Sequence, residues 1–497
     1  MTHVIPAPPA LVVILPMGGL VALIAAAGYL GIHADPLVIV AISVFGIVAL
    51  ALAIRHPAAL VTPVLFIPRL KEVSVLTGVG PAGHWTALQV TGGLLVAAIL
   101  LRWLLSSPRR EDRSHQTSAA SSDLGKGDPR LGTMAFLLFA AMVAFSYIYT
   151  ASPSYGAEKL LGFLTLGSGL FFLSFLVCAS ETDMRDLIIG TALFGMVVAA
   201  SSLSFSATGA GAPGDNPSHI GKGQVIGLAI LLLLYSNFAN RWLRVLVIWV
   251  CIPCLALGLV SSEARGPLFS LLIVLGMSFF VPGMRSSPMV SRRTMLVVAA
   301  VLVGAVGLLS AHWFYGAEAA KFRFKTIEIA ALAQGSGEAR GTAVQRLGYY
   351  SAALDAWIQR PLMGWGVGGW SMVYWHVDDR QYPHNLFLEV LVEQGLAGLA
   401  ILLFFLTVVL RTLTATWTVT TRRFPWLLPC GIYLLGISMV SGDLDDDRFV
   451  WFWCGLMLGA CALAHRISGE IVPTEKVYGI SGYAPEFAVV EPPFLSE

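Results

Sequence analysis

Apolar runs close to 20 residues recur along the 497-residue chain, the length an α-helix needs to cross a bilayer core. Predicted spans lie near Ala10–Ile32, Pro36–Ile54, Thr86–Leu105, Leu131–Tyr149, Lys159–Ala179, Asp186–Ser206 and Gly223–Phe238. Others follow near Leu243–Leu259, Pro267–Val281, Thr294–Trp313, Leu386–Leu410, Pro425–Ser441 and Val450–Ala464. Ala58–Ile67 reaches about half a span and reads as short, tilted or re-entrant. The pattern predicts an all-α polytopic integral membrane protein of roughly 12–14 transmembrane helices. Its polar interruptions are short except for one large loop, expected outside the cytoplasm.

Composition agrees. The chain is 56% hydrophobic and 12% charged, with a mean hydropathy of +0.76, and a soluble domain carries about twice that charge. Basic residues cluster in Arg102–Arg130, at Arg241 and Arg244, at Arg285, Arg292 and Arg293, and at Arg411, Arg422 and Arg423. Cytoplasmic connections are Lys- and Arg-rich. Placing all four inside sends the loop from Tyr315 to Pro383 outside, together with the acidic connection Asp443, Asp445, Asp446 and Asp447. The expected organisation is therefore residues 1–314 as N-terminal transmembrane helices with a cytoplasmic linker at 106–130, then a periplasmic loop at 315–385. Residues 386–467 form C-terminal transmembrane helices, and 468–497 a poorly ordered cytoplasmic tail. The first span lacks a basic leader and a cleavage site, so no removable signal peptide is read there.

Several chemistries find no support. All six cysteines fall in predicted spans, so Cys251-Ile-Pro-Cys254 reads as structural thiols rather than a redox pair. No zinc-ligand spacing and no phosphate-binding Gly-rich loop of the ATPase kind occurs. Neither metal nor cofactor is expected. The one acidic group that could hold Mg²⁺ is Asp443 with Asp447 at helical spacing, and the plainer reading is a solvated acidic turn.

Candidate chemistry gathers on the outer side. His384-Asn385 opens an apolar span that closes with Gly395-x-x-Gly398, putting an imidazole at a membrane–water boundary. The roughly 70-residue loop before it exceeds the length of ordinary connections and is expected to fold. Within it, Leu347, Tyr350, Leu354 and Trp357 share one helical stripe, and Pro361 stops that helix. Pro361-Leu-Met-Gly-Trp-Gly-Val-Gly-Gly-Trp370 then forms a Gly-rich turn, where a ligand could approach peptide N–H groups closely. Trp365 and Trp370 could stack on sugars, or dock the loop on the membrane interface. Arg265, just before Pro267, is placed at a helix N-terminus, where an anion is favoured. Pairing with Glu263, or snorkelling to the surface, is the alternative. His219 and Lys222 on another outer connection, and Arg340 and Arg346 in the large loop, are further phosphate candidates.

With these residues assembled, the chain resembles the O-antigen ligase and O-antigen polymerase superfamily of bacterial membrane glycosyltransferases. The ligase pattern His-[Asn/Ser/Gln]-x9-Gly-x-x-[Gly/Thr/Tyr] is met by His384, Asn385, Gly395 and Gly398. Arg346, Trp357, Pro361-Leu-Met-Gly-Trp-Gly366 and Ser262-Glu-Ala-Arg265-Gly266 extend the likeness, although Ala264 stands where the family more often has Ser. The resemblance is strong over Ser261–Gly398. It implies a GT-C-like fold and transfer of a glycan from an undecaprenyl pyrophosphate carrier at the periplasmic face of the inner membrane. The acceptor it implies is a lipid A–core sugar in ligases, or another carrier-linked repeat unit in polymerases. His384 is then the candidate general base, unless it simply binds phosphate. Arg265 and Arg346 face the leaving pyrophosphate, and Asn385 orients His384 or substrate. A polysaccharide transporter or flippase would also have many spans, but the paired broken helices common in transporters are not found.

Overall fold

The computed structural model describes residues 56–66, 129–177, 180–208, 219–236, 238, 240–262, 264–281, 298, 300, 304 and 342–471. The expected spans at Ala10–Ile32, Pro36–Ile54 and Thr86–Leu105, Arg340, and the tail after Ile471 lie outside them, as do nearly all of Thr294–Trp313 and the first part of the large loop.

Among the described residues every regular element is helical and no strand occurs. After a 3₁₀ turn at Pro57–Leu60, the helices are α1 (Val61–Phe66), α2 (Pro129–Ser146), α3 (Pro153–Gly162), α4 (Ser168–Val177), α5 (Glu181–Thr208) and α6 (His219–Tyr235). Then come α7 (Arg241–Leu246), α8 (Ile252–Ser261), α9 (Arg265–Phe280), α10 (Thr342–Gln359), α11 (Gly369–Trp375) and α12 (Leu386–Ala415). The last three are α13 (Trp417–Arg423), α14 (Leu427–Ser441) and α15 (Arg448–Ile471). One π turn, Phe163–Gly167, joins α3 to α4, and another, Val247–Cys251, joins α7 to α8. Pro253 lies just beyond the second; it cannot donate to the carbonyl four residues back, and the ladder widens there.

Six helical stretches are long and apolar enough to cross a membrane, or seven if α13 and α14, bent by 86°, count as one. α6 and α9 are shorter apolar helices. Each predicted span that falls on described residues is helical there, although Lys159–Ala179 begins earlier, at Pro153, and Val450–Ala464 continues to Ile471. α15 is the central one: 83% of its apolar window is buried, against 33–44% for the other five. Around it Phe136, Phe139, Phe163, Phe171, Phe405 and Trp451 pack ring on ring, with Phe136 stacked on Phe171 at 3.9 Å. Such pairs add roughly 0.5–1.5 kcal/mol each beyond the area they bury.

Small residues set the helix directions. Gly195 meets Ala229 and Leu255, and Gly258 meets Ala199, so α5 runs parallel to α7–α8 with α6 antiparallel between them. Glu181 at the start of α5 pairs with Arg423 of α13. Arg185, Arg241, Arg244, Arg422 and Arg423 therefore occupy one end of the bundle. The starts of α6, α9 and α12 occupy the other.

α12 does not run straight through. Gly395 has φ 66° and ψ −163° and breaks it after nine residues. In an unbroken helix the Leu396 and Ala397 N–H groups would bind the Val392 and Glu393 carbonyls. Here all four groups bond instead to the Gly-rich turn. Leu396 N–H donates to Pro361 O at 2.9 Å and Ala397 N–H to Leu362 O at 3.1 Å. Trp365 N–H donates to Val392 O at 3.0 Å and Gly366 N–H to Glu393 O at 2.8 Å. Gly364 and Gly366, at φ 70° and 82°, supply the left-handed backbone that lets the turn lie this close. The turn's N–H groups thus serve the broken helix, which corrects the expectation that they stand open to a ligand.

A Cβ on Gly395 would sit 2.3 Å from the Leu362 carbonyl oxygen, whereas one on Gly348 of α10 meets nothing. Gly395→Ala is expected to cost well over 1 kcal/mol through positive-φ strain and displacement of the turn. Gly348→Ala should gain about 0.5–1 kcal/mol. Thermal midpoints of the two detergent-solubilised variants check the contrast.

Candidate active site

The site lies at the end of the bundle where α6, α9 and α12 begin. Pro383 and His384 form the last turn before α12, and His384 takes the left-handed conformation at φ 62°. That backbone costs a non-glycine residue roughly 1–2 kcal/mol, and such strain gathers at functional sites. Asn385 fixes the turn: its side-chain oxygen accepts the Phe387 and Leu388 N–H groups, both at 3.1 Å, capping α12. Its side-chain nitrogen donates to the Met439 carbonyl at 3.0 Å, which also accepts the Tyr350 hydroxyl at 3.1 Å. The carboxamide therefore ties the His384 turn to the end of α14 and to α10.

The imidazole is half-buried among aromatic rings, stacked on Tyr349 at 5.9 Å and edge-on to Tyr382 at 4.4 Å between centroids. Burial, then the nearby Arg346 cation, push its pKa down to about 4, with Asp443 pulling the other way. His384 is thus neutral near pH 7, close to a fixed positive charge and able to accept a proton. Arg346 sits half-buried near the start of α10.

Arg265 is the first residue of α9 and is exposed. Its N-cap, Ala264, offers no side-chain acceptor, so the first N–H groups of α9 carry no side-chain cap. α6 starts alongside: the Cβ position of Gly223 lies 2.5 Å from Ala264 Cβ. At that start, His219 Nδ1 hydrogen-bonds the Ser262 carbonyl at 2.8 Å, and Lys222 is buried. Two helix N-termini with Arg265 and His219 thus lie side by side. Gly266 touches Val440, the neighbour of Met439, so this anion-favouring edge adjoins the His384 turn.

Other expectations fare differently. Trp370 is fully buried, stacked on Tyr374 at 5.0 Å and edge-on to Tyr349, so it packs the loop and offers no ring face to a sugar. Trp365 is half-buried with the Arg360 guanidinium 4.0 Å from its ring centroid and its indole N–H bound to Ala356 O at 2.8 Å. The α10 stripe is also shifted. Tyr349, Ala353 and Ala356 face inward, while Leu347 and Leu354 are exposed, because the partners of α10 are Trp370 and Val392. Tyr149, Thr150 and Ala151 bind the carbonyls of Met363, Val367 and Trp365, clamping the Gly-rich turn from the α2 side.

The acidic turn corrects its plainer reading most sharply. Asp443 and Asp447 are buried rather than solvated. Lys159 of α3, itself fully buried, pairs with Glu389 and Glu393 of α12 and lies 3.5 Å from Asp443. Arg380 reaches the same turn, 2.7 Å from Asp446 and 3.4 Å from Asp443. Burial and neighbouring Asp443 and Asp446 push the Asp445 carboxyl up to about 8. Sequence reading passed over Lys159, Glu389, Glu393 and Arg380. A signal existed for the first three, since ionisable residues within apolar runs are expensive and rarely idle. Among the described residues no group of three or more His, Cys, Asp or Glu is arranged to hold a metal ion.

Residues 250–403 match the family model described as O-antigen ligase. No curated protein matches the chain. The chain is therefore a multi-pass membrane protein carrying an O-antigen ligase domain. That family performs ligase- or polymerase-type glycan transfer in membranes, which implies lipid-linked glycan substrates. The matched stretch contains Arg265, Arg346, His384, Asn385, Gly395 and Gly398; Lys159, His219, Lys222 and the acidic turn lie outside it.

If His384 acts as a base in the free enzyme, the acid limb of kcat/KM is expected near pH 4 rather than 6.5. Activity would be full above that value and lost as pH falls through it. Arg346→Gln removes a charge that lowers the pKa, so the limb should move upward. A pH series of initial rates with saturating acceptor measures both.

Proposed function

We propose that the protein is a membrane glycosyltransferase of O-antigen ligase type. It moves a glycan from an undecaprenyl pyrophosphate carrier to an acceptor hydroxyl at the periplasmic face of the bacterial inner membrane, in lipopolysaccharide or surface-polysaccharide synthesis. The observation that carries this reading is His384, half-buried on a strained turn close to Arg346, at the same end of the bundle as the uncapped N-terminus of α9 with Arg265. The arginine-rich opposite end supports a cytoplasmic assignment for that end and an outer one for the site.

In this reading the acceptor hydroxyl gives its proton to His384 as its oxygen attacks the anomeric carbon. The bond from that carbon to the carrier phosphate breaks, and the pyrophosphate leaves with the electron pair. Arg346 and Arg265, aided by the adjoining helix N-termini, stabilise the charge that develops there. A pyrophosphate beside Arg346 would offset the cation's field on the imidazole and so raise its basicity when donor is bound. Asn385 acts through the turn it holds; Lys222 and His219 line the donor side. No metal is needed for these steps.

Purified protein in liposomes, given a lipid-linked glycan and either a lipid A–core or a carrier-linked acceptor, tests the proposal and tells ligase from polymerase. His384→Ala should lower transfer roughly 10²–10⁴-fold at unchanged thermal stability. Arg265→Lys should also be strongly impaired, since the ammonium loses the planar fork that grips two phosphate oxygens. Wild-type transfer by folded His384→Ala would remove the base assignment. Movement of glycan across the bilayer without any bond change would replace the enzyme with a transporter.

Orientation is checked separately by single-cysteine labelling with an impermeant reagent in intact spheroplasts. Ser351→Cys, on exposed α10, should label at once, and Thr414→Cys only after permeabilisation.

A further inference from the structure

Lys159 lies at the crossing of three segments that build the His384 turn, and no part of the proposed chemistry uses it. Its ammonium contacts Glu389, one turn into α12, then Glu393 at 2.7 Å one turn further, and Asp443 of the acidic turn at 3.5 Å. All four side chains are fully buried. The acidic turn closes back on α12, because Leu444 N–H donates to Glu389 at 3.1 Å. Tyr155, one turn before Lys159 on α3, donates its hydroxyl to Asp443 at 3.2 Å.

The strap 376–383, which ends at His384, is anchored to the same group. Asp378 accepts the Ser154 and Tyr155 N–H groups at 2.8 and 2.9 Å, and the Ser152 hydroxyl, at the start of α3. Arg380 joins Asp443 and Asp446, and its guanidinium lies 5.9 Å from the Tyr382 ring centroid, the ring that meets His384 edge-on. One short helix therefore holds both sides of the His384 turn: the strap entering it and the helix leaving it.

We propose that Lys159 is a positioning residue of the transfer site, fixing His384 in place by locking α12, the acidic turn and the strap onto α3. It touches no substrate. The stiffness comes from burial: an ion pair without water has a single geometry, and moving any partner strands a charge. This inference rests on the reading of His384 as the reacting base, but it can be tested without turnover.

Lys159→Met alone leaves Glu389 and Glu393 without their cation, a loss of the size that unfolds proteins. The informative variant is Lys159→Met/Glu389→Gln/Glu393→Gln, which removes the ionic lock together with the two glutamate charges it would strand, while Asp443 keeps Arg380 as its cation. Its thermal midpoint first establishes that it is folded. Reaction of His384 with diethyl pyrocarbonate, followed by mass spectrometry, then reads the exposure and order of the ring. We expect severalfold faster modification than in wild type, with kcat down about 10²-fold, as misplacement of a catalytic group by 1 Å can cause, and KM for the lipid-linked donor unchanged. A folded triple variant whose His384 reacts at the wild-type rate overturns the proposal: Lys159 would then only neutralise its neighbours. If wild-type protein transfers no glycan, the modification rates still decide the positioning claim, while the enzymatic reading fails separately.

Discussion

A broken helix inside a membrane protein leaves backbone groups that neither lipid nor a distant solvent can satisfy, and the end of the bundle where α6, α9 and α12 begin is organised around that demand. At Gly395, α12 gives up two of its own hydrogen bonds, and the turn Pro361–Gly366 replaces them with four. The two most distinctive stretches of the chain, Pro-Leu-Met-Gly-Trp-Gly and His-Asn-x9-Gly-x-x-Gly, are thus two halves of one joint. Their glycines answer to backbone geometry: three lie at positive φ, and a Cβ on Gly364, Gly366 or Gly395 would enter the van der Waals space of a facing main chain.

From this joint the site follows outward. The Gly-rich turn is fixed on one side by α12 and on the other by Thr150 and Ala151. α10 and α11 then close over it through Tyr349, Ala353 and Trp370. That packing buries the His384 imidazole and brings Arg346, near the start of α10, close enough to add to the effect of burial in pushing its pKa down. The strained His384 backbone persists because Asn385, the strap and the Lys159 cluster determine it from both sides. Chemistry at a lipid-linked phosphate needs such preorganisation, since a cation and a base that had to be gathered at each turnover would lose the electrostatic advantage of fixed dipoles.

Much of the architecture is legible in the sequence because the bilayer imposes it. Runs such as Leu131–Tyr149 and Leu386–Leu410 must be helical once they are read as spans, and helices occur there. The places of His384 and Arg265 at the starts of spans were legible: Arg265 opens α9 and His384 immediately precedes the N-cap of α12. What was not legible depended on partners far away in the chain. Whether Leu347 or Tyr349 faces inward depends on Trp370 and Val392, and α10 alone cannot reveal it. Trp370 reads as an exposed sugar platform until α10 covers it. The four aspartates after Gly442 look solvated because nothing local says that Lys159, nearly 300 residues earlier, lies beneath them. Glu389 and Glu393 carried the clearest overlooked hint, two carboxylates one turn apart at the mouth of an apolar span.

The central claim is that the outer ends of α6, α9, α10 and α12 form one site for a lipid-linked pyrophosphate, with His384 at its reacting edge. The most direct measurement is a cryo-electron-microscopy structure of the protein in lipid nanodiscs with undecaprenyl pyrophosphate bound. The account predicts pyrophosphate density bonded by the Arg265 and Arg346 guanidinium groups, with the His384 imidazole facing the glycan-bearing end. Pyrophosphate held at the arginine-rich opposite end, or bound at the outer end without contact to either arginine, would contradict it.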